Sequence, residues 1–409
     1  MKLHIGIAAP IASVDIADLL QDKPDTLPTG YTGAPFTGVI IRELLKQGHK
    51  VSAFTTDNSI YPDEEIIKLT GPNFDFYICA ERPRAWRFNK RHIGRAMDAF
   101  GYERGLLTKA FNIAKPEFIH AHWTYEFALA AIKTKIPNLI TCHDAPAVIL
   151  RFNPYPFRAM RYLMARQVYC QGKHFSTVSD YMLGEVQHYT SVPIQVVPNP
   201  LADFVLAIGQ VRSQPNTKRI GLICNGWESR KNPQPALLAF AQFHKIHPEA
   251  ELHLYGQGFG ANQAAENWCQ EQCITTNMFF HGAMPHKALI KQLDQLDILL
   301  HPALEESFGV VIAEAMALGL PIVAGNNSGA VPWVVGNNEI NNTLCCAVLT
   351  DVSNPSTILA SLSTVFDSKY PERSSAGYNR AQQMFTPEVV YAKYLALYQQ
   401  ILNSISTSG

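Results

Sequence analysis

Between Leu296 and Val334 the chain reads LDILLHPALEESFGVVIAEAMALGLPIVAGNNSGAVPWV, and this stretch constrains the fold more than any other. The run LDILLHP reads as a buried strand. Residues 309 to 318 read as a helix stopped by Gly319 and Pro321, and PIVAG supplies a second strand. Strand, loop, helix and strand make a βαβ unit. Two strands joined in this way lie parallel in one sheet, whose ligand crevice opens at their carboxyl ends. Into that crevice the sequence places Glu306, Ser307, Phe308 and Gly309, immediately ahead of the helix.

A helix that opens at a glycine presents free backbone N–H groups and the positive end of its dipole, which suits a phosphate or a sugar hydroxyl. Acidic side chains there would repel a bare phosphate and suit a ligand richer in hydroxyls. Glu306 lies in the loop and Glu314 two turns into the helix, and eight helical residues rise about 12 Å. A glycosidase holds its two carboxyl groups about 5 to 9.5 Å apart. The wider spacing suits the two ends of one extended ligand, and a nucleotide sugar carries hydroxyls at both ends. Taken alone, the pair is as well explained by a helix cap and an ordinary helical glutamate.

The residues around the pair say more. E-x7-E from Glu306 to Glu314, SFG, EAMALGLPIVA and SGAVPWV together resemble the signature of the retaining glycosyltransferases of family 4. The resemblance implies that Glu314 holds the ribose of a nucleotide and Glu306 the donor sugar, with the backbone of Ser307, Phe308 and Gly309 beside it.

At 409 residues the chain is long enough for two domains with separate cores. Its 34 basic side chains balance 34 acidic ones, which argues against a nucleic-acid-binding protein. The balance is uneven along the chain: residues 1 to 198 carry 22 Lys and Arg against 18 Asp and Glu, and the remainder 12 against 16. The eight cysteines show neither CxxC nor zinc spacing and read as free thiols of a reducing compartment. Polar residues interrupt the opening MKLHIGIAAPIASVDIADLL, and no window reaches 18 to 20 apolar residues. The expectation is a cytoplasmic protein whose membrane contact, if any, is peripheral.

KLHIGIAAP reads as a first buried strand, Gln21 to Pro35 as a long functional loop, and Gly38 to Asp57 as an amphipathic helix ended by Gly48 and followed by a strand. This order resembles the family's glycine loop, helix and strand, although GYTGAPFTG lacks an adjacent glycine pair. PEFIHAHWTYEFALAAIKT is a strand running into a helix, and period 2 turns His120 and His122 to the same face. A histidine in such a place is more often a hydrogen-bonded structural residue. HAHW resembles the family's HxH region, which implies that His122 meets the sugar or diphosphate; His143 reads as structural or acceptor-side. STVSDYM and VVPNPL resemble the last elements before the interdomain linker.

The second domain opens with RIGLICNGWESRKNPQPALLAF, a strand, a loop and a helix capped near Asn232. Lys231 is the candidate phosphate ligand, a mobile point charge at a helix start, and the resemblance supports it. Trp227 stands where the family commonly has a basic residue, and Arg230 is placed to substitute for it. ELHLYGQGFGA fits the GxGxxA dinucleotide fingerprint at Gly256, Gly258 and Ala261, but the next strand ends in His281 and Gly282 rather than in an acidic residue for the ribose. It therefore reads as the family's nucleotide-facing turn, with Gly256 and Gly282 near the substrate. MFTPEVVYAKYLALYQQIL is a terminal amphipathic helix with Pro387 in its first turn.

The resemblance implies two doubly wound parallel-sheet α/β domains facing across a cleft, the GT-B arrangement: an acceptor-binding domain over residues 1–197, a nucleotide-sugar-binding domain over 198–386, and a terminal helix, 387–409, packed back on the first. The expected activity is transfer, with retention, of a sugar from a UDP- or GDP-linked donor to a glycan or lipid-linked acceptor. Lys231, Arg230 and the helix start at Gly309 would stabilise the leaving diphosphate without a metal cofactor, and His122 would orient the sugar. An epimerase or phosphorylase on this architecture and a catalytically silent sugar-nucleotide-binding protein are the alternatives. Finally, ERPRAWRFNKRHIGR (Glu81 to Arg95) and RFNPYPFRAMRYLMAR (Arg151 to Arg166) mix ten basic residues with aromatics. They read as an anionic-membrane surface, as two solvated basic loops, or as a helix whose aromatics face the core.

Overall fold

A computed structural model describes residues 2–21, 24–337 and 345–406. The chain divides into two compact units, Met1–Pro200 together with Pro387–Gly409, and Leu201–Thr386.

The first unit is built on a sheet of β1 (His4–Ala8), β2 (Lys50–Asp57), β3 (Ile66–Gly71), β4 (Phe74–Ala80), β5 (Phe118–His122), β6 (Asn138–Cys142), β7 (Phe175–Thr177) and β8 (Ile194–Val196). Its order is β3-β4-β2-β1-β5-β6-β7-β8. Strands β1, β2 and β5 are almost wholly buried, as expected where helices cover both faces of a parallel sheet. The sheet departs from the all-parallel expectation at one edge, where β3 runs antiparallel to β4. Asn73, at φ +55°, turns the chain there, a conformation that asparagine tolerates better than most residues. Phe54 stacks on Tyr77 and meets Phe111 edge-on at 4.7 Å, fixing the Gly101–Ala114 helix to the sheet.

The helix Pro387–Ser406 belongs to this unit. It buries Tyr394 and Tyr398 against His120, and Lys46 pairs with Glu388 at 2.6 Å.

The second unit carries β9 (Arg219–Ile223), β10 (Glu251–Tyr255), β11 (Met278–Gly282), β12 (Ile298–His301), β13 (Ile322–Gly325) and β14 (Ala347–Thr350), in the order β11-β10-β9-β12-β13-β14 and parallel throughout. Leu222, Leu252, Leu254, Ile298 and Leu300 from these strands meet Phe240 and Phe243 of the Pro233–Ile246 helix in one apolar core.

In each sheet the chain first winds outward on one side and then on the other. The strand order therefore reverses between β1 and β5 in the first unit and between β9 and β12 in the second. At such a reversal neighbouring strands send their loops in opposite directions and leave room for a ligand at their carboxyl ends. His122 ends β5, and the loops carrying Lys231 and Glu306 follow β9 and β12. The eight cysteines are unpaired, and five of them are buried. Among the described residues no helix is long and apolar enough to cross a membrane.

Candidate functional site

Because β9 and β12 are neighbours in register, the loops that follow them leave the second unit's sheet side by side. They are tied together: Leu304 N–H donates to the Arg230 carbonyl at 2.8 Å, and the Asn232 side-chain amide donates to the carbonyls of Pro302 and Val352 at 3.1 and 2.9 Å. This corrects the expected cap. Asn232 adopts left-handed backbone (φ +49°), makes no side-chain cap to its helix, and staples the exit of β12 instead.

Lys231 is not a mobile solvated charge. Its Nζ lies 2.5 Å from Oε1 of Glu306, and both side chains are largely shielded. Burial alone would raise the Glu306 carboxyl, but the Lys231 ammonium and His301 hold it well below the usual carboxylate range. His301, buried at the end of β12, places Nε2 3.3 Å from Glu306 Oε1, near enough for an ion pair but too poorly aligned for a hydrogen bond. Arg230, expected to substitute as a phosphate ligand, pairs with buried Glu305 at 3.0 Å. Burial raises the Glu305 carboxyl, and Arg230 opposes the rise.

Ahead of the Val310–Ala317 helix, Gly309 adopts φ +84°, a conformation that costs L-residues energy. Ser307 lies within reach of the Glu305 carboxylate at 3.4 Å. Phe308 turns inward, edge-on to Phe385 at 5.4 Å, which anchors the loop. Glu314 is buried on the helix and accepts from or shares a proton with His286 Nε2 at 2.5 Å. The two glutamates thus belong to two separate polar clusters, one on Lys231 and His301, the other on His286.

The glycine turn after β10 is consumed by its own fold. The amides of Gly258 and Gly260 both donate to Gln263 Oε1, at 3.0 and 2.9 Å, and Gly256 N–H donates to the Gly282 carbonyl at 2.9 Å. Gly256 approaches the Cys224 carbonyl so closely that a Cβ would lie 1.9 Å from its oxygen. These glycines lock the turn against the loop after β9, and the amides of Gly258 and Gly260 are already satisfied, unlike those of a dinucleotide fingerprint.

In the first unit, β5 delivers His120 and His122 to one face, fully buried. His120 is saturated: Nδ1 lies 2.7 Å from Tyr398 Oη and Nε2 2.6 Å from Thr141 Oγ1. His122 Nδ1 lies 2.8 Å from His143 Nε2. Burial holds the His122 imidazole down to about 3 and keeps His120 and His143 well below the ordinary histidine value, so all three are neutral at physiological pH. The loop before the Pro35–Lys46 helix folds back on β1 and β2: Gly30 N–H donates to Asp57 Oδ2 at 2.7 Å, and Phe36 stacks on His143 at 4.8 Å.

The two basic segments are only partly outward. Arg82 is buried between Asp98 and Glu103, Arg95 pairs with Glu81, and Arg161 pairs with Glu126 over the Tyr125 ring, so these three cations turn inward. The guanidinium groups of Arg95 and Arg161 flank the Phe100 ring, and Phe157 meets it at 6.3 Å, which brings the two segments together. Arg84, Arg87, Lys90 and Arg91 stay exposed beside Trp86 and Phe88, which are 49% and 66% exposed.

The profile described as Glycosyltransferase Family 4 matches residues 37–202, and that described as Glycosyl transferases group 1 matches residues 208–383. The chain belongs to glycosyltransferase family 4. This glycosyltransferase is 22% identical over 348 residues, 80% of each chain, to D-inositol 3-phosphate glycosyltransferase of Corynebacterium efficiens. It is 24% identical over 314 residues, 70% of this chain and 66% of the other, to alpha-monoglucosyldiacylglycerol synthase of Streptococcus pneumoniae. Sucrose-phosphate synthase from Thermosynechococcus elongatus shares its fold with a TM-score of 0.75, at 16% identity over 98% of this chain and 100% of that one. The fold is of the GT-B type.

The sequence marks Glu306 to Gly309 and Glu314 more densely than any other candidate residues. Glu305, His301 and His286 were not read as site residues, although a histidine ending the otherwise apolar LDILLHP and an acidic residue beside Glu306 were available signals.

Proposed function

We propose that this glycosyltransferase moves a sugar, with retention, from a UDP- or GDP-linked donor to a hydroxyl of a lipid-linked or glycan acceptor in envelope polysaccharide or glycolipid assembly. The second unit binds the donor and the first the acceptor. The observation that carries the reading is the Lys231–Glu306 pair with His301 beside it, next to the helix start at Gly309. It sets a cation and free backbone N–H groups where a diphosphate would lie, with a carboxylate for sugar hydroxyls.

In the reaction, the bond from the anomeric carbon to the diphosphate breaks as the acceptor oxygen bonds to the same face of that carbon, and the leaving phosphate oxygen takes the acceptor's proton. Lys231 stabilises the charge that grows on the diphosphate, which is where electrostatic preorganisation contributes most. Glu314, midway along the helix, accepts from the ribose hydroxyls once His286 yields it. His122, neutral, orients the sugar by a hydrogen bond and does not offset charge as a cation.

The exposed Trp86, Phe88, Arg84, Arg87, Lys90 and Arg91 surface supports docking of the first unit on an anionic membrane, since interleaved aromatics and basic groups suit the headgroup layer. A lipid-linked acceptor is consistent with that surface.

The test is a product assay with UDP- and GDP-sugars in excess EDTA. Turnover is expected to persist, and proton NMR of the product to show the donor's anomeric configuration. Loss of activity restored by magnesium or manganese, or an inverted product, would overturn the mechanism.

A further inference from the structure

His122 and His143 form a pair that no single-residue role explains. They end neighbouring strands, and Nδ1 of one meets Nε2 of the other at 2.8 Å. Each ring keeps its second nitrogen buried and without a hydrogen-bond partner among the described residues: Nε2 of His122 and Nδ1 of His143. His120, one turn of the pleat away, has both nitrogens occupied, so among these three histidines the unpartnered nitrogens are confined to the His122–His143 pair. The His143 ring is fixed by Phe36 at 4.8 Å and Trp123 at 4.4 Å. Trp123 itself follows β5 in left-handed backbone (φ +65°), a strained conformation for a tryptophan that tends to persist only where the surroundings enforce it.

A neutral imidazole carries one N–H and one lone pair. Two neutral imidazoles joined nitrogen to nitrogen therefore have two coupled states. If His122 Nδ1 holds the hydrogen, His143 must carry its own on Nδ1, and His122 Nε2 is an acceptor. If His143 Nε2 holds it, His122 must carry its hydrogen on Nε2, which is then a donor. The second state places both rings in the tautomer that imidazole side chains intrinsically favour. Either state leaves one N–H and one lone pair unpaired; in the second the unpaired N–H is that of His122 Nε2 and the unpaired lone pair that of His143 Nδ1.

We propose that His143 is a positioning residue that donates from Nε2 to His122 Nδ1 and so fixes His122 as an Nε2–H donor for an oxygen of the transferred sugar or its diphosphate. The inference rests on the reading of His122 as the residue that meets the donor. The partner it implies is an acceptor oxygen, either a sugar hydroxyl or a phosphate oxygen, and a substrate that could only donate at that point would be refused.

Nitrogen-15 NMR of the full-length protein labelled at histidine reads the tautomer of each ring directly. Both His122 and His143 are expected in the Nε2–H form at neutral pH. His143→Leu is expected to release His122 into a tautomer mixture and to lower kcat by roughly tenfold or more, with KM for the nucleotide sugar little changed. His143→Gln, whose amide N–H can donate to His122 Nδ1, is expected to restore the Nε2–H signal and most of kcat. Finding His122 in the Nδ1–H form in the unsubstituted protein overturns the proposal. So does a His143→Gln variant that keeps its fold yet is as slow as His143→Leu, or a folded His143→Leu variant of undiminished kcat. If the unsubstituted protein turns over no sugar nucleotide, the transferase reading fails, while the NMR arm still decides the tautomer.

Discussion

At the scale of single residues, the proposed function gives Glu306 two duties that pull against each other. Its carboxylate neutralises Lys231 at 2.5 Å, yet Lys231 is the cation an arriving diphosphate requires. A ligand that draws Lys231 toward its phosphates frees Glu306 for the sugar, so the pair works as a preset exchange of partners. Glu306→Gln keeps the shape and removes the charge. Turnover is expected to fall by roughly 10² to 10³, while nucleotide affinity stays level or tightens because Lys231 is no longer held. Steady-state kinetics beside direct nucleotide binding checks this, and a variant that loses affinity but keeps kcat would show that Glu306 serves the nucleotide instead. Glu306 and Glu314 are singled out by a dense local pattern, and Lys231 by its place at a helix start. Their pairings are not: Lys231 reaches Glu306 across 75 residues of sequence and His286 reaches Glu314 across 28, and only the sheet order brings them together.

At the scale of elements, alternation and apolar runs located strands at the site correctly, because buried parallel strands must be continuously apolar and helices between them must keep one polar face. The same reasoning failed at the β3–β4 hairpin, whose turn at Pro72 and Asn73 gives no more signal than a loop. In residues 81 to 95, Arg82 and Arg95 look no different in sequence from Arg84 and Arg87 but are drawn inward by Glu103, Asp98 and Glu81. Asn89 holds the outward part in place, its side chain bonded to backbone groups of Arg84, Arg87 and Ile93. That leaves four exposed cations, each worth about 1 kcal/mol near an anionic surface. Liposome sedimentation should recover the protein with anionic vesicles and less so as salt rises, and neutralising Arg84, Arg87, Lys90 and Arg91 together should abolish most of the binding. Equal recovery with neutral and anionic vesicles would reject docking and favour a soluble acceptor.

At the scale of the whole molecule, three buried neutral histidines make stability depend on pH in a stated direction. In the unfolded chain His120, His122 and His143 take up protons near pH 6.5, whereas burial keeps the folded values far lower, at about 3 for His122. The unfolded state therefore binds more protons as pH falls below about 6.5, and stability present above that value is lost, by about 2 kcal/mol per histidine at pH 5. Glu81 and Glu305, raised by burial, act in the opposite sense as the carboxylate range is approached. Urea unfolding at pH 7, 6 and 5 should show a steady decline, and a level profile would mean that the histidines are not buried as described. The central proposal is that the second unit binds a nucleotide through Glu314, midway along the Val310–Ala317 helix, and a sugar diphosphate at the helix start. Isothermal titration of UDP- and GDP-sugars, with EDTA present, into the unsubstituted protein and its Glu314→Ala variant tests it most directly. Binding is expected for the former and a loss of about 1.5 to 3 kcal/mol in the latter, the size of lost charge-assisted hydrogen bonds; equal affinity in a variant with intact fold would contradict the proposed role of Glu314.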